Sequence, residues 1–186
     1  MDVAPKYAVF LAVVSVSLVL DQASKFLVNR FLGPRDEISV IPAFLSFVHR
    51  ENPAAMMGLM AGVEGRLVLF FVFTVISSAV IGFLLWQIDP RDRFVAGMLG
   101  LTLGGAYGNQ IDRIVKGTVT DFIKVYTEIP GLVAWLRDHV GTSEWPTFNI
   151  ADSALVVGIL LFLTQYLFAA DREPLPAAAD GERTPE

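Results

Sequence analysis

Asp21, Lys25, Asp112, Arg113, Asp121 and Asp152 lie within or at the ends of long apolar runs, where an ionisable group is costly and is kept for a partner or a function. Asp121 and Asp152 carry the clearest chemistry. Two carboxylates held close together cannot both ionise easily and share a proton. Such a pair activates water: one carboxylate takes the proton as water attacks an amide carbonyl, and the other donates a hydrogen bond to the developing oxyanion. Asp152 is expected to be the ionised member, because a helix N-terminus favours an anion, and Asp121 the protonated one. This chemistry needs no metal, cofactor or covalent intermediate, and none is expected.

Each of these residues also has a plainer reading. Asn109, Asp112 and Arg113 fall at i, i+3 and i+4, so Asn109 shares a helix face with either neighbour, and the group reads equally as a polar helix end with a snorkelling arginine. Asn149 suits an N-cap, with Asp152 at the third helical position, where an acid complements the helix dipole.

The elements that must position these groups follow from the apolar pattern. The chain has 186 residues and is 54% hydrophobic, against about 45–50% for a soluble domain. A spanning helix needs roughly 20 apolar residues, so about four spans fit, and they are expected near 6–29, 67–86, 94–111 and 150–169. The first run resembles a signal peptide in length, but no small-x-small cleavage pattern follows it, and it is read as retained. Gly97, Gly100, Gly104 and Gly108 line one side of the third span, where backbones can approach closely. Residues 1–170 are read as a single domain. Residues 171–186, rich in Pro, Ala and acids, are expected to be a disordered tail.

Four spans put both termini on one side and the segments 30–66 and 112–149 together on the other, with the ionisable groups. Residues 38–49 suggest a small strand unit. Residues 129–140 have the spacing of an amphipathic helix lying in the interface. Lys and Arg are more numerous in the two long segments but denser in the turn 87–93, so the positive-inside rule gives a divided vote for termini in the cytoplasm.

Cysteine is absent and His49 and His139 are the only histidines, which removes thiolate chemistry and leaves no zinc-protease pattern. The net charge of -5 comes partly from the tail and does not point to nucleic acid.

The chain is similar to the bacterial lipoprotein signal peptidases, or signal peptidase II. The likeness rests on Asp21-Gln22-Ala23-Ser24-Lys25, Asn52-Pro53-Ala54-Ala55, the run from Gly104 to Arg113, Thr120-Asp121-Phe122 and Phe148-Asn149-Ile150-Ala151-Asp152. It implies an aspartyl endopeptidase of the bacterial cytoplasmic membrane that cuts prolipoproteins just before a diacylglyceryl-modified cysteine. It also implies a four-helix membrane bundle with a small periplasmic β-cradle and a periplasmic helix. By the same resemblance the dyad falls on Asp121 and Asp152. Asn52, Asn109, Arg113 and Asn149 line the substrate site, and Asp21, Lys25 and Asp112 support it. The implied partners are prolipoprotein substrates, membrane lipids and cyclic peptide inhibitors such as globomycin, with no nucleic acid, and the enzyme is expected to be a monomer with its site facing the periplasm. One departure concerns the segment where the family usually reads Asn-x-Gly-Ala-Ala-Phe-Gly: here it is Asn52-Pro53-Ala54-Ala55-Met56-Met57-Gly58.

Three other readings compete. Intramembrane carboxylates mark ion routes, but the chain shows no internal repeat of the kind transporters carry. Ser24 and Lys25 suggest a serine–lysine dyad, yet adjacent helical residues point about 100 degrees apart. A non-catalytic scaffold accounts for the glycine face but leaves Asp121 and Asp152 unexplained.

Overall fold

The computed structural model describes residues 4–53 and 65–169. In chain order these form α1 (Pro5–Phe31), β1 (Glu37–Ile41), β2 (Leu45–Asn52), α2 (Arg66–Gln87), α3 (Arg93–Lys116), β3 (Val119–Val125), α4 (Pro130–Val140) and α5 (Ile150–Ala169). Residues 54–58, with the Met56 and Met57 departure, and the expected disordered tail 171–186 lie outside the described residues.

Pro5 opens α1 in the first turn, where its missing N–H leaves no bond unmade. Asp92 caps α3 by accepting from the Val95 N–H at 3.0 Å. At the other end Gly117 takes the left-handed conformation, φ 76°, and its N–H donates to the Arg113 carbonyl at 3.0 Å. The helix that carries the expected third span, 94–111, extends beyond it: α3 runs on to Lys116, which puts Asp112 and Arg113 inside it.

Three helical stretches are long and apolar enough to cross a membrane, Pro5–Phe31, Arg66–Gln87 and Ile150–Leu167. α3 has 24 residues, about 36 Å of helix at 1.5 Å per residue, but glycines and polar side chains dilute its hydropathy. The reason is its place: α1, α2 and α5 all pack on it, so it faces protein more than lipid and packs by backbone approach. Gly105 lies against the backbone of Ala151 and Leu155. A Cβ at Gly108 would stand 2.6 Å from Asp21 Oδ2 and 2.9 Å from Ala151 Cβ.

At the end of the bundle holding the chain's N-terminus, Phe10, Ile81, Leu85, Val95, Ala96, Leu99 and Leu103 form the buried apolar cluster. There Lys6 Nζ donates to the last carbonyls of α2, Trp86 at 3.0 Å and Ile88 at 2.7 Å.

At the opposite end lies an antiparallel sheet in the order β1-β2-β3. The expected strand unit is present, but β2 runs on to Asn52, and the third strand, β3, was not anticipated as a strand. Phe47 pairs with Ile123 and Arg50 with Asp121, with a register shift between the two pairs. α4 matches the expected helix, and none of its residues is buried.

Candidate active site

Asp121 sits in β3 and is 2% exposed. The strand is tied on one side to β2 and on the other to the segment before α5, where the Phe148 carbonyl accepts from Phe122 N at 3.0 Å and Ile123 N at 2.8 Å. This pairing carries Asn149 to Asp121. Asn149 Nδ2 donates to Asp121 Oδ1 at 2.8 Å, and Asn52 Nδ2, from the end of β2, donates to Oδ2 at 2.9 Å. Burial pushes the Asp121 carboxyl up to about 7; the Asn52 amide works against this and the charge of Asp152 adds to it.

Asp152 occupies the first turn of α5. Its backbone N–H donates to Asn149 Oδ1 at 2.9 Å, while its own Oδ2 accepts from Asn149 N at 3.2 Å. That reciprocal pair is a capping box, so the cap reading of Asn149 and Asp152 holds. The cap and a site are compatible, because Asn149 also bonds Asp121 and Asp152 lines the same cleft as Asp121. Asn109 Nδ2 donates to Asp152 Oδ1 at 2.7 Å. Asn149 Nδ2 also lies 3.0 Å from Asn109 Oδ1 and 3.3 Å from the Thr120 carbonyl. The Asn149 side chain thus ties the Asp121 carboxylate, the backbone N–H of Asp152 and α3 together at one amide.

Behind this layer, Lys25 Nζ is 2% exposed and lies 2.9 Å from Asp21 Oδ2, 3.3 Å from Asp112 Oδ2 and 3.1 Å from Asn109 Oδ1. With Asn109 Oδ1 accepting from Lys25 and Asn149, its Nδ2 is the end left to face Asp152. Asp21 Oδ1 accepts from the Ala151 N–H at 2.9 Å, which fixes the first turn of α5. Asp112 Oδ2 accepts from Thr120 N at 3.1 Å, which fixes the residue before Asp121. These acids act from behind: neither lines the cleft. Ser24 Oγ donates to the Asp21 carbonyl at 2.8 Å and Lys25 is held by the two acids, so the serine–lysine arrangement is not formed. His49 sits between the Leu32 carbonyl and Glu51, and His139 stacks on Trp135.

A cleft of about 600 Å³ opens between α2, α3 and α5. Asn52, Asn109, Arg113, Asp121 and Asp152 line it together with the apolar walls Phe70, Phe73, Leu155, Val156 and Val157. All the expected site residues are therefore gathered at one place, in the cleft or directly behind it. An extended apolar segment in this cleft would bring a backbone carbonyl up to two carboxyls and several amide donors. Among the described residues no group of three or more His, Asp or Glu side chains is arranged to hold a metal ion.

Two contributors had been passed over. Gln22 Nε2 lies 3.0 Å from Asp21 Oδ2, 3.1 Å from the Gly108 carbonyl and 3.4 Å from Asp112 Oδ1; an amide inside an apolar run was the available signal. Phe70, whose ring lies under the Arg113 guanidinium at 4.1 Å, carried none.

The family model described as signal peptidase (SPase) II matches residues 13–168. A lipoprotein signal peptidase of Geobacter metallireducens is 36% identical over 157 residues, covering 84% of this chain and 89% of that protein. One from Geobacillus kaustophilus is 38% identical over 153 residues, covering 82% and 89%. Among solved structures, a bacterial membrane enzyme determined by the in meso method at 2.3 Å superimposes with a TM-score of 0.73 at 26% identity, over 91% of this chain and 94% of that one. A second, at 1.9 Å, gives 0.69 at 28% identity over 85% and 92%.

Proposed function

The chain belongs to the signal peptidase II family, aspartic-type peptidases that remove signal peptides from prolipoproteins, and we propose that Asp121 and Asp152 are the pair that performs the hydrolysis. The observation that carries this reading is the single amide of Asn149, which bonds Asp121 directly and caps the turn bearing Asp152 at the head of an apolar cleft.

In this reading Asp152 is the carboxylate, with N–H donors from Asn109 and Asn149 on its two oxygens and the positive end of α5 beside it. It takes a proton from the water that attacks the scissile carbonyl carbon. Asp121, with its carboxyl near 7, donates its proton to the carbonyl oxygen. Collapse of the tetrahedral adduct breaks the C–N bond: the proton held by Asp152 passes to the leaving amine, and a hydroxyl proton of the adduct returns to Asp121 as the new carbonyl forms. Asn52, Asn109 and Arg113 bind and orient the substrate backbone; Asn149, expected from the sequence to line the substrate site, is fully buried behind the cleft and with Asp21, Lys25 and Asp112 holds those groups in place.

The substrate carries a lipid-modified cysteine, whose acyl chains and preceding apolar residues suit the walls formed by Phe73, Leu155, Val156 and Val157. With α3 as the fourth span, residues 1–170 form one membrane-embedded monomeric unit of the bacterial inner membrane. Both termini then lie in the cytoplasm and the sheet, α4 and the aspartates face the periplasm. A cyclic peptide such as globomycin would occupy the same cleft.

The test is cleavage of a diacylglycerylated prolipoprotein by purified wild type, Asp121→Asn and Asp152→Asn, with the folding of each variant verified. Folded variants at least about 10³-fold slower support the dyad. Variants that still cut remove it.

A further inference from the structure

Three contacts join α2 to α3 in an antiparallel ladder. Ser78 Oγ and Tyr107 Oη lie 3.0 Å apart, and Thr74 Oγ1 lies 3.3 Å from Gln110 Oε1. The Arg113 guanidinium carbon stands 4.1 Å from the centroid of the Phe70 ring. The α2 members recur every four residues and the α3 members every three, so one face of each helix supplies all the rungs. The two lower rungs are hydrogen bonds; the top rung, at the cleft, is a cation over an aromatic face.

Arg113 is half-buried and lines the cleft with both aspartates. Among the described residues the ion pairs closer than 4.0 Å engage other cations; the Arg113 guanidinium stands over the Phe70 ring and is attracted from further off by Asp152, Asp121 and Asp112. A cation held on a ring face keeps its N–H donors at the edge free for acceptors in the same plane. A long arginine side chain without that surface loses its fixed direction.

We propose that Phe70 is a positioning residue: its ring face holds the Arg113 guanidinium so that its donor fork points into the cleft toward the substrate backbone. The inference rests on the cleft being the active site. It makes α2 more than a wall, since the placement of a binding group on α3 depends on it. Arg113 binds substrate before and during reaction alike, so losing its direction raises KM and leaves kcat little changed.

The experiment compares Phe70→Leu, Phe70→Tyr and a series in which Phe70 carries one, two or three ring fluorines, all in the full chain, with a lipid-modified prolipoprotein peptide as substrate. Phe70→Leu raises KM about five- to thirtyfold, the size of one cation–π contact. Phe70→Tyr stays within about twofold. KM climbs with each fluorine, because fluorine drains the ring face without changing the packing. In an Arg113→Gln background the Phe70→Leu penalty falls below about twofold. An unchanged KM in Phe70→Leu, a flat fluorine series, or a Phe70→Leu penalty that persists without Arg113 overturns the proposal. The fluorinated series answers even where Phe70→Leu folds poorly. Inactive Asp121→Asn and Asp152→Asn beside a flat series would remove the role of Phe70 alone, whereas active aspartate variants would remove the site itself.

Discussion

The two ends of the bundle are built on opposite principles, and α3 passes through both. At one end Phe10, Ile81, Leu85 and Leu99 pack without directional bonds. At the other, Asp21, Lys25, Asp112, Asn109 and Asn149 are buried and bonded to one another. An apolar cluster tolerates exchange of similar volumes. A buried ionic network tolerates no loss of a single partner, because the partner left behind keeps its charge without compensation. The end that must hold two aspartates in fixed positions is the end that gives up tolerance.

The sharpest way to break this contrast is one substitution at each end. Lys25→Met strands Asp21 and Asp112 and is expected to cost about 3–5 kcal/mol, seen as lost folded protein in detergent and lost cleavage. Leu99→Ala is expected to cost about 2 kcal/mol, with cleavage per folded molecule unchanged. Equal losses of cleavage per folded molecule would erase the distinction.

A second comparison stays on α3. Gly108→Ala drives a methyl into Asp21 Oδ2 and Ala151, whereas Gly97→Ala meets nothing nearer than Val9 Cγ1 at 4.0 Å. Gly108→Ala should lower the melting temperature through about 1–3 kcal/mol of overpacking and reduce turnover by displacing the first turn of α5. Gly97→Ala should leave both unchanged.

The smallest effect separates the ends by pH. Asp121 has an ordinary value of 3.8 and is raised to about 7 in the fold, so the native state holds its proton more tightly. Its contribution to stability is fully present below about pH 4 and is lost as pH rises through about 7. Between pH 5 and 8 the wild-type melting temperature should fall more steeply than that of Asp121→Asn, by on the order of 5 °C. Under the proposed mechanism, in which Asp121 donates its proton, activity should decline on the alkaline side with an apparent value near 7 that belongs to the pair. Parallel melting curves for wild type and Asp121→Asn would place the titration elsewhere.

Much of this was legible in advance for a physical reason. Apolar runs at 6–29, 67–86 and 150–169 announce their helices because lipid-facing residues have no other task, and an acid in such a run marks itself by its cost. β3 was harder. Val119, Thr120, Phe122, Ile123 and Val125 are strand formers, but the strand exists through partners in β2, roughly seventy positions earlier in the chain. Gly117, with Arg113 and Lys116 in the turn before it, was a readable helix stop, and reading it would have placed Asp112 and Arg113 within α3. Phe70 carried no signal, since a phenylalanine under an arginine looks in sequence like one facing lipid.

Asp152 both closes the cap at the start of a helix and faces the cleft, and that double duty limits how this molecule can vary. A substitution there that repelled an inhibitor would also unfasten the first turn of α5. Escape from a compound gripping that carboxylate therefore has to come from the cleft walls, at Phe73 or Val156, where a change of shape leaves the helix start intact. A compound drawing most of its affinity from the cap and little from the walls would leave resistance few places to arise.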